Sequence, residues 1–294
     1  MVTGAFTAMV TPFKDGKVDE AAITKFIDYL VINGSNGVVP CGTTGESATL
    51  SFDEHIRVIE YTMETTAERF PVIAGTGSNS TAETILLTKR AEDLGVNAAL
   101  VITPYYNKPS QQGLYEHYKK ISESTSIPII LYNVPGRTAV NLLPETVARL
   151  SELHNIIGIK EATGDLKQVS DVIEFSKKDF SVLSGDDFTT LPLLAIGGHG
   201  VISVTANIVP RAVTELIRLH RDGKMVEAAG LHYKLQALNR AMFLETNPVP
   251  VKTALALLGM IEEEFRLPLV KMSDANRAKL IAVLKDYKFV VKEG

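Results

Sequence analysis

Tryptophan is absent from this chain and cysteine occurs once, at Cys41. A single cysteine excludes an internal disulfide framework and any zinc site built from several thiolates. The six histidines are scattered, so no metal is expected. Cys41, without an evident histidine partner, reads as a small buried hydrophobe. No stretch approaches the roughly 18 uninterrupted apolar residues of a membrane-spanning helix. The opening MVTGAFTAMVTPF lacks the basic start, apolar run and small-residue cleavage site of a secretory signal. A cytoplasmic protein with no membrane association is therefore expected. Basic charge is not in excess either: 30 Lys and Arg stand against 34 Asp and Glu. That balance lacks the clustered basic surface a nucleic-acid partner requires, and none is expected.

What the chain does have is apolar residues, 45% of its length, enough to fill a large core. Its 294 residues exceed one average domain, yet α/β barrels reach about 250 residues as single domains. Short runs rich in Val and Ile occur at 6–10, 37–41, 72–74, 98–102, 127–132, 156–160, 180–184 and 200–203. Each is followed by polar or Gly/Pro signals and then a helical pattern, so the chain reads as repeated βα units. Eight near-continuous apolar strands favour a closed parallel (β/α)₈ (TIM) barrel, in which both faces of every strand are covered. An open doubly wound sheet normally carries a Gly-rich turn after its first strand, whereas here that strand runs into Thr-Pro-Phe.

Segments 19–33 and 53–68 have the apolar spacing of barrel-covering helices. Ser51 or Asp53 is placed to cap the second. After the eighth run, helical patterns at 211–221, 225–243 and 274–285 predict a C-terminal helical region. The expected division is a catalytic barrel over 1–209 and an appendage over 210–294. Pro248 and Pro250 are expected to interrupt helix within the latter.

A barrel of this kind places its active site at the carboxyl ends of the strands. There the chain has Gly42-Thr43-Thr44-Gly45-Glu46-Ser47, Thr103-Pro104-Tyr105-Tyr106-Asn107, Tyr132-Asn133-Val134-Pro135-Gly136-Arg137 and Ile159-Lys160-Glu161. An apolar strand seldom ends in lysine. Lys160 should share the inward face with Gly158 and Ile156, while Ile157 and Ile159 point out to the helices. A desolvated lysine supplies the free amine that attacks a ketone; the competing reading is a lysine that escapes into solvent or pairs with Glu161. The hydroxyls of Thr43, Thr44, Tyr106 and Tyr132 are suited to proton transfer, though Gly-Thr-Thr-Gly is also an ordinary turn. Arg137 carries a fork that matches a carboxylate, or makes a surface ion pair. The Gly197-Gly198-His199-Gly200 run lies at a strand entrance, which argues against a phosphate cradle.

Taken together, GTTGES at 42–47, TPYYNKP at 103–109, YNVPGRT at 132–138 and GIKEATGD at 158–165 resemble the 4-hydroxy-tetrahydrodipicolinate synthase family, also called dihydrodipicolinate synthases. The likeness spans essentially the whole chain, including TGAFTAMVTPF at 3–13, SGDD at 184–187, GVISVTANIVP at 200–210 and NPVPVK at 247–252. It implies a Schiff-base lyase that condenses pyruvate with L-aspartate 4-semialdehyde, at the entry to diaminopimelate and L-lysine synthesis, with no cofactor.

The resemblance implies that Lys160 carries pyruvate as an imine, with Tyr132 transferring protons through Thr43 to Tyr106. Thr44 would bind the pyruvate carboxylate, Arg137 the semialdehyde carboxylate, and the Ile202 carbonyl would complete the pocket. It also implies a homotetramer of tight dimers in which Tyr106 enters the neighbouring site. Feedback by L-lysine would use Ser47, Ala48, His55, Asn79, Glu83 and Tyr105. Phe52 replaces a histidine found in some strongly inhibited members.

Two other readings compete. N-acetylneuraminate lyases and 2-keto-3-deoxy sugar acid aldolases share the barrel, lysine and tyrosine, but Thr43 and Arg137 favour the synthase. A non-catalytic barrel binding a small molecule would be expected to have lost one of Lys160, Tyr132, Thr43 or Tyr106, and all four are present.

Overall fold

The computed structural model describes residues 1–292, so the last two positions of the expected 210–294 appendage lie outside the described residues. Eight parallel strands form its centre: β1 Gly4–Ala8, β2 Val38–Val39, β3 Ile73–Gly75, β4 Ala98–Ile102, β5 Ile129–Asn133, β6 Ile156–Glu161, β7 Ser181–Ser184 and β8 Gly200–Ser203. They hydrogen-bond in the order β2-β1-β8-β7-β6-β5-β4-β3, and a parallel bridge between Val38 and Val72 joins the two ends of that row. The result is a closed (β/α)₈ barrel. All eight apolar runs supply a strand. The second is shorter than expected because Pro40 has no N–H to donate and Cys41 turns left-handed at φ +55°.

Strand alternation divides the core into two layers. Phe6, Val39, Ile73, Leu100, Ile130, Leu183 and Ile202 fill the interior. Val101, Leu131, Ile159 and Val182 face outward, against helix residues such as Leu114, Tyr118, Val147 and Val172. One expectation fails here. Ile156 lies in the outer layer and Ile157 packs with the interior, the reverse of strict alternation from Lys160. The pairing register shifts between Ile129 and Ile130, which oppose Ile156 and Gly158, and the extra residue flips the start of β6.

Ser51, not Asp53, caps helix Phe52–Thr66: its hydroxyl accepts from the Glu54 N–H while the Glu54 carboxylate accepts from the Ser51 N–H. Helix Pro210–Arg221 lays Val213 and Ile217 on Ala5 and Val201. The helices that follow, Met225–Ala241, Val249–Leu257 and Asp274–Asp286, bury Leu238, Leu255, Leu280 and Leu284 in one cluster with Ile23 and Phe26 of helix Glu20–Ile32. The C-terminal region is thus packed onto the barrel's first βα unit. Pro250 does not interrupt helix: it occupies the first turn of Val249–Leu257, where no intrahelical donor is needed. Among the described residues no helix is long and apolar enough to cross a membrane.

Candidate active site

Lys160 ends the inward face of β6, with 6% of its surface exposed. Tyr132 on β5 is its direct partner in the strand register. The Lys160 Nζ stands 4.2 Å from the centre of the Tyr132 ring. Space for the lysine stem comes from Gly185, where a Cβ would lie 3.0 Å from Lys160 Cε and 2.7 Å from Ala162 Cβ. Strand alternation turns Glu161 the other way. Its carboxylate accepts from Asn133 Nδ2 at 3.0 Å, from the Thr163 N–H at 2.9 Å and from Gln168 Nε2 at 3.3 Å. The reading in which Glu161 pairs with Lys160 is therefore set aside. Burial raises the Glu161 pKa, and those hydrogen bonds oppose the shift.

Across the barrel mouth, the chain after β2 forms a tight turn. The Gly45 N–H donates to the Gly42 carbonyl at 3.0 Å, the Glu46 N–H to the Thr43 carbonyl at 3.2 Å, and the Thr11 hydroxyl to the Gly45 carbonyl at 2.7 Å. Thr44 is buried, and its hydroxyl accepts from Asn247 Nδ2 at 3.0 Å. Glu46 takes a left-handed φ of +52° and places its carboxylate 2.5 Å from Lys252 Nζ, with side-chain exposures of 1% and 0%. Desolvation lowers the Lys252 pKa while Glu46 pulls it back up. Removing one partner from such a buried pair costs about 3–5 kcal/mol.

Arg137, in the short helix Pro135–Thr138, donates from Nη2 to the Asn247 carbonyl at 3.0 Å. It is therefore not an isolated surface arginine. Thr43, Tyr132, Arg137 and Asn247 line one cavity of about 440 Å³. Ser47, Ala48, His55, Glu83 and Tyr105 line the same cavity, as does Phe52. The His55 Nε2–H donates to the Gly75 carbonyl at 2.7 Å, and burial lowers its pKa. Glu83 accepts from the Ser78 hydroxyl.

Five of the expected residues do not line that cavity, the buried Thr44 among them. Lys160 lies beneath the Tyr132 ring, Ile202 packs in the barrel interior, and the Asn79 carbonyl is occupied by Asn107 Nδ2 at 2.8 Å. Tyr106 is 89% exposed on a backbone held at φ +72°. Cys41 is buried, and burial pushes its thiol pKa up. Among the described residues no cluster of three or more His, Cys, Asp or Glu is placed to hold a metal.

Asn247, Gly185, Lys252 and Asp187 had no role assigned from sequence, although each lies in a motif quoted above. The buried Asp187 carboxylate accepts from the Ser203 hydroxyl at 2.5 Å and from the Val204 and Thr205 N–H groups at 3.0 Å, which fixes the chain leaving β8 just after Ile202.

The model of the Dihydrodipicolinate synthetase family matches residues 1–287. The chain belongs to this family. A 4-hydroxy-tetrahydrodipicolinate synthase of Thermodesulfovibrio yellowstonii is 60% identical over 285 residues, covering 97% of this chain and 98% of that protein. The crystal structure of dihydrodipicolinate synthase from Aquifex aeolicus superposes with a TM-score of 0.98 at 48% identity, covering 99% of this chain and all of that one. The chloride-inhibited dihydrodipicolinate synthase of Acinetobacter baumannii, solved in complex with pyruvate, gives 0.96 at 46% identity over 98% of this chain and 100% of that one. Membership of the dihydrodipicolinate synthetase family accounts for the shared barrel and for the motifs that meet at its mouth.

Proposed function

We infer that the protein catalyses the 4-hydroxy-tetrahydrodipicolinate synthase reaction, joining pyruvate to L-aspartate 4-semialdehyde. The observation that carries this reading is the buried Lys160 at the carboxyl end of β6, set beside Tyr132 on the neighbouring strand.

The Lys160 amine adds to the ketone carbon of pyruvate, and loss of water leaves an iminium. That cation withdraws electrons from the methyl carbon, which gives up a proton to form an enamine. The enamine carbon attacks the aldehyde carbon of the second substrate, whose oxygen takes a proton to become the hydroxyl. The substrate's amino group then adds to the iminium carbon and expels Lys160, which closes the ring. Tyr132 serves as the proton carrier nearest the lysine, in relay with Thr43 and Tyr106. Thr44 and the N–H groups of its turn receive the pyruvate carboxylate. Arg137 receives the semialdehyde carboxylate, and the Ile202 carbonyl closes the pocket floor. The iminium is the electron sink, so the scheme uses no metal or organic cofactor.

Tyr106 acts in the site of a second copy across a tight dimer, and two such dimers make a tetramer. Its exposure and left-handed backbone support this, because they hold the ring out of its own subunit's cavity and open to a second copy. L-Lysine binds at the set Ser47, Ala48, His55, Asn79, Glu83 and Tyr105, of which all but Asn79 line the cavity; Glu83 complements the ammonium group, and Phe52 bears on the strength of the inhibition. Unchanged turnover at millimolar L-lysine would refute that part. The enzyme works in the cytoplasm.

The main test is to incubate the protein with pyruvate and borohydride and to locate the added mass by peptide mass spectrometry, with Lys160→Ala as control. An adduct on Lys160 supports the scheme and leaves an aldehyde panel, including N-acetylmannosamine and sugar-derived aldehydes, to rank against the semialdehyde. Absence of any adduct overturns it.

A further inference from the structure

Glu46 and Lys252 are buried, charged and unused by the reaction. A fully buried ion pair seldom stabilises a fold more than apolar side chains of the same volume would. A non-glycine residue at positive φ is a further local liability. Fold stability alone therefore gives no reason for this pair at this place.

Its place is specific. Glu46 immediately follows Thr43-Thr44-Gly45, and its own N–H closes the turn on the Thr43 carbonyl. Its carboxylate is held from two directions, by Lys252 Nζ at 2.5 Å and by the Arg266 N–H at 3.4 Å. Lys252 lies in helix Val249–Leu257, and Asn247, just ahead of that helix, grips the Thr44 hydroxyl at 3.0 Å. One C-terminal segment thus holds the turn on both sides of Gly45. Phe13 fixes the lysine head in turn, with its ring centre 4.2 Å from Lys252 Nζ and 4.4 Å from the Arg266 guanidinium carbon.

We propose that Glu46 and Lys252 are positioning residues that aim the Thr43-Thr44 turn at the carboxylate of the 2-oxo acid. Glu46 borders the cavity, but its carboxylate is taken up by Lys252 and the Arg266 N–H, so the pair acts through the turn. It sets where the Thr44 N–H and hydroxyl stand relative to Lys160, and so governs how tightly the keto acid is held before the imine forms. This rests on the role given to Thr44 above.

The test uses the full chain and pyruvate itself. The double variant Glu46→Gln/Lys252→Met removes both charges at nearly constant volume, so it should fold with a melting temperature close to wild type. The pyruvate concentration that half-saturates borohydride trapping on Lys160 should rise about tenfold, with kcat at saturating pyruvate within about threefold. Glu46→Asp is measured beside it. It keeps the charge but withdraws it by one methylene, and should raise half-saturation in the same sense. Wild-type half-saturation in either folded variant overturns the positioning role. A wild-type protein that traps no pyruvate on Lys160 overturns the reaction and this inference together, which separates the two failures.

Discussion

Asn133 donates from Nδ2 to the Glu161 carboxylate at 3.0 Å, one residue beyond the rung on which Tyr132 faces Lys160. The outer faces of β5 and β6 are thereby fastened where their inner faces carry the lysine and the tyrosine. Asn133 is also tied to the next segment, since its Oδ1 accepts from the Leu142 N–H at 3.0 Å. Asn133→Ala leaves Glu161 with one fewer donor and the Leu142 N–H without its acceptor, a loss of about 1–3 kcal/mol per buried group. Chemical denaturation should give that loss, and kcat should fall as the rung loosens. A variant as stable and as active as wild type would show that the fastening has no consequence.

Gly185 bears on the lysine directly. In Gly185→Ala the new methyl would press on Ala162 Cβ and on the Lys160 stem. We expect slower imine trapping on Lys160, with a stability loss of about 1–3 kcal/mol from overpacking. Trapping kinetics measured against a melting curve separate the two effects. Unaltered trapping would mean that Lys160 has slack which the packing does not reveal.

Tyr132→Phe keeps the ring beneath Lys160 Nζ and deletes only the hydroxyl. Loss of a positioned proton carrier lowers turnover by about 10²–10⁴-fold. Protein stability should stay near wild type. A variant that retains more than about a tenth of wild-type turnover would transfer the proton step to another group.

His117 supplies a pH dependence away from the site. It is buried, its Nδ1 meets the Thr81 hydroxyl at 2.9 Å, and its Nε2 has no partner among the described residues. Burial pushes its pKa from 6.5 to about 4. Between those values the unfolded chain carries the proton and the folded one does not, so this group's contribution to stability is present above pH 6.5 and declines as pH falls toward 4. The loss amounts to roughly 3 kcal/mol. His117→Gln does not titrate and can still meet Thr81. Unfolding free energies measured from pH 4 to 7 should therefore slope less in the variant, and equal slopes would contradict the assignment.

The strands were legible because parallel barrel strands are buried on both faces and leave near-continuous apolar runs. Lys160 stood out for the same reason, as a charge ending such a run. The bulge at Ile156 and Ile157 was not legible: register depends on the neighbouring strand, and no local period encodes it. The residues alone left Arg137 open between a carboxylate fork and a surface ion pair, and its bond to the Asn247 carbonyl is a contact that the sequence does not display. Asn247 meets Thr44 across 203 residues of sequence, and Lys252 meets Glu46 across 206. Motif spacing carries no information about contacts of that range, so the residues that hold the turn were quoted without a role.

Those long separations also order events on the ribosome. A nascent chain that has emerged through Ser203 already possesses every barrel strand, Lys160 and Tyr132. It still lacks Asn247, Lys252 and Arg266, so its Thr43-Thr44 turn is held only by its own hydrogen bonds and by Thr11. Since synthesis delivers the amino-terminal part first, every barrel strand leaves the ribosome before the residues that set the barrel's mouth.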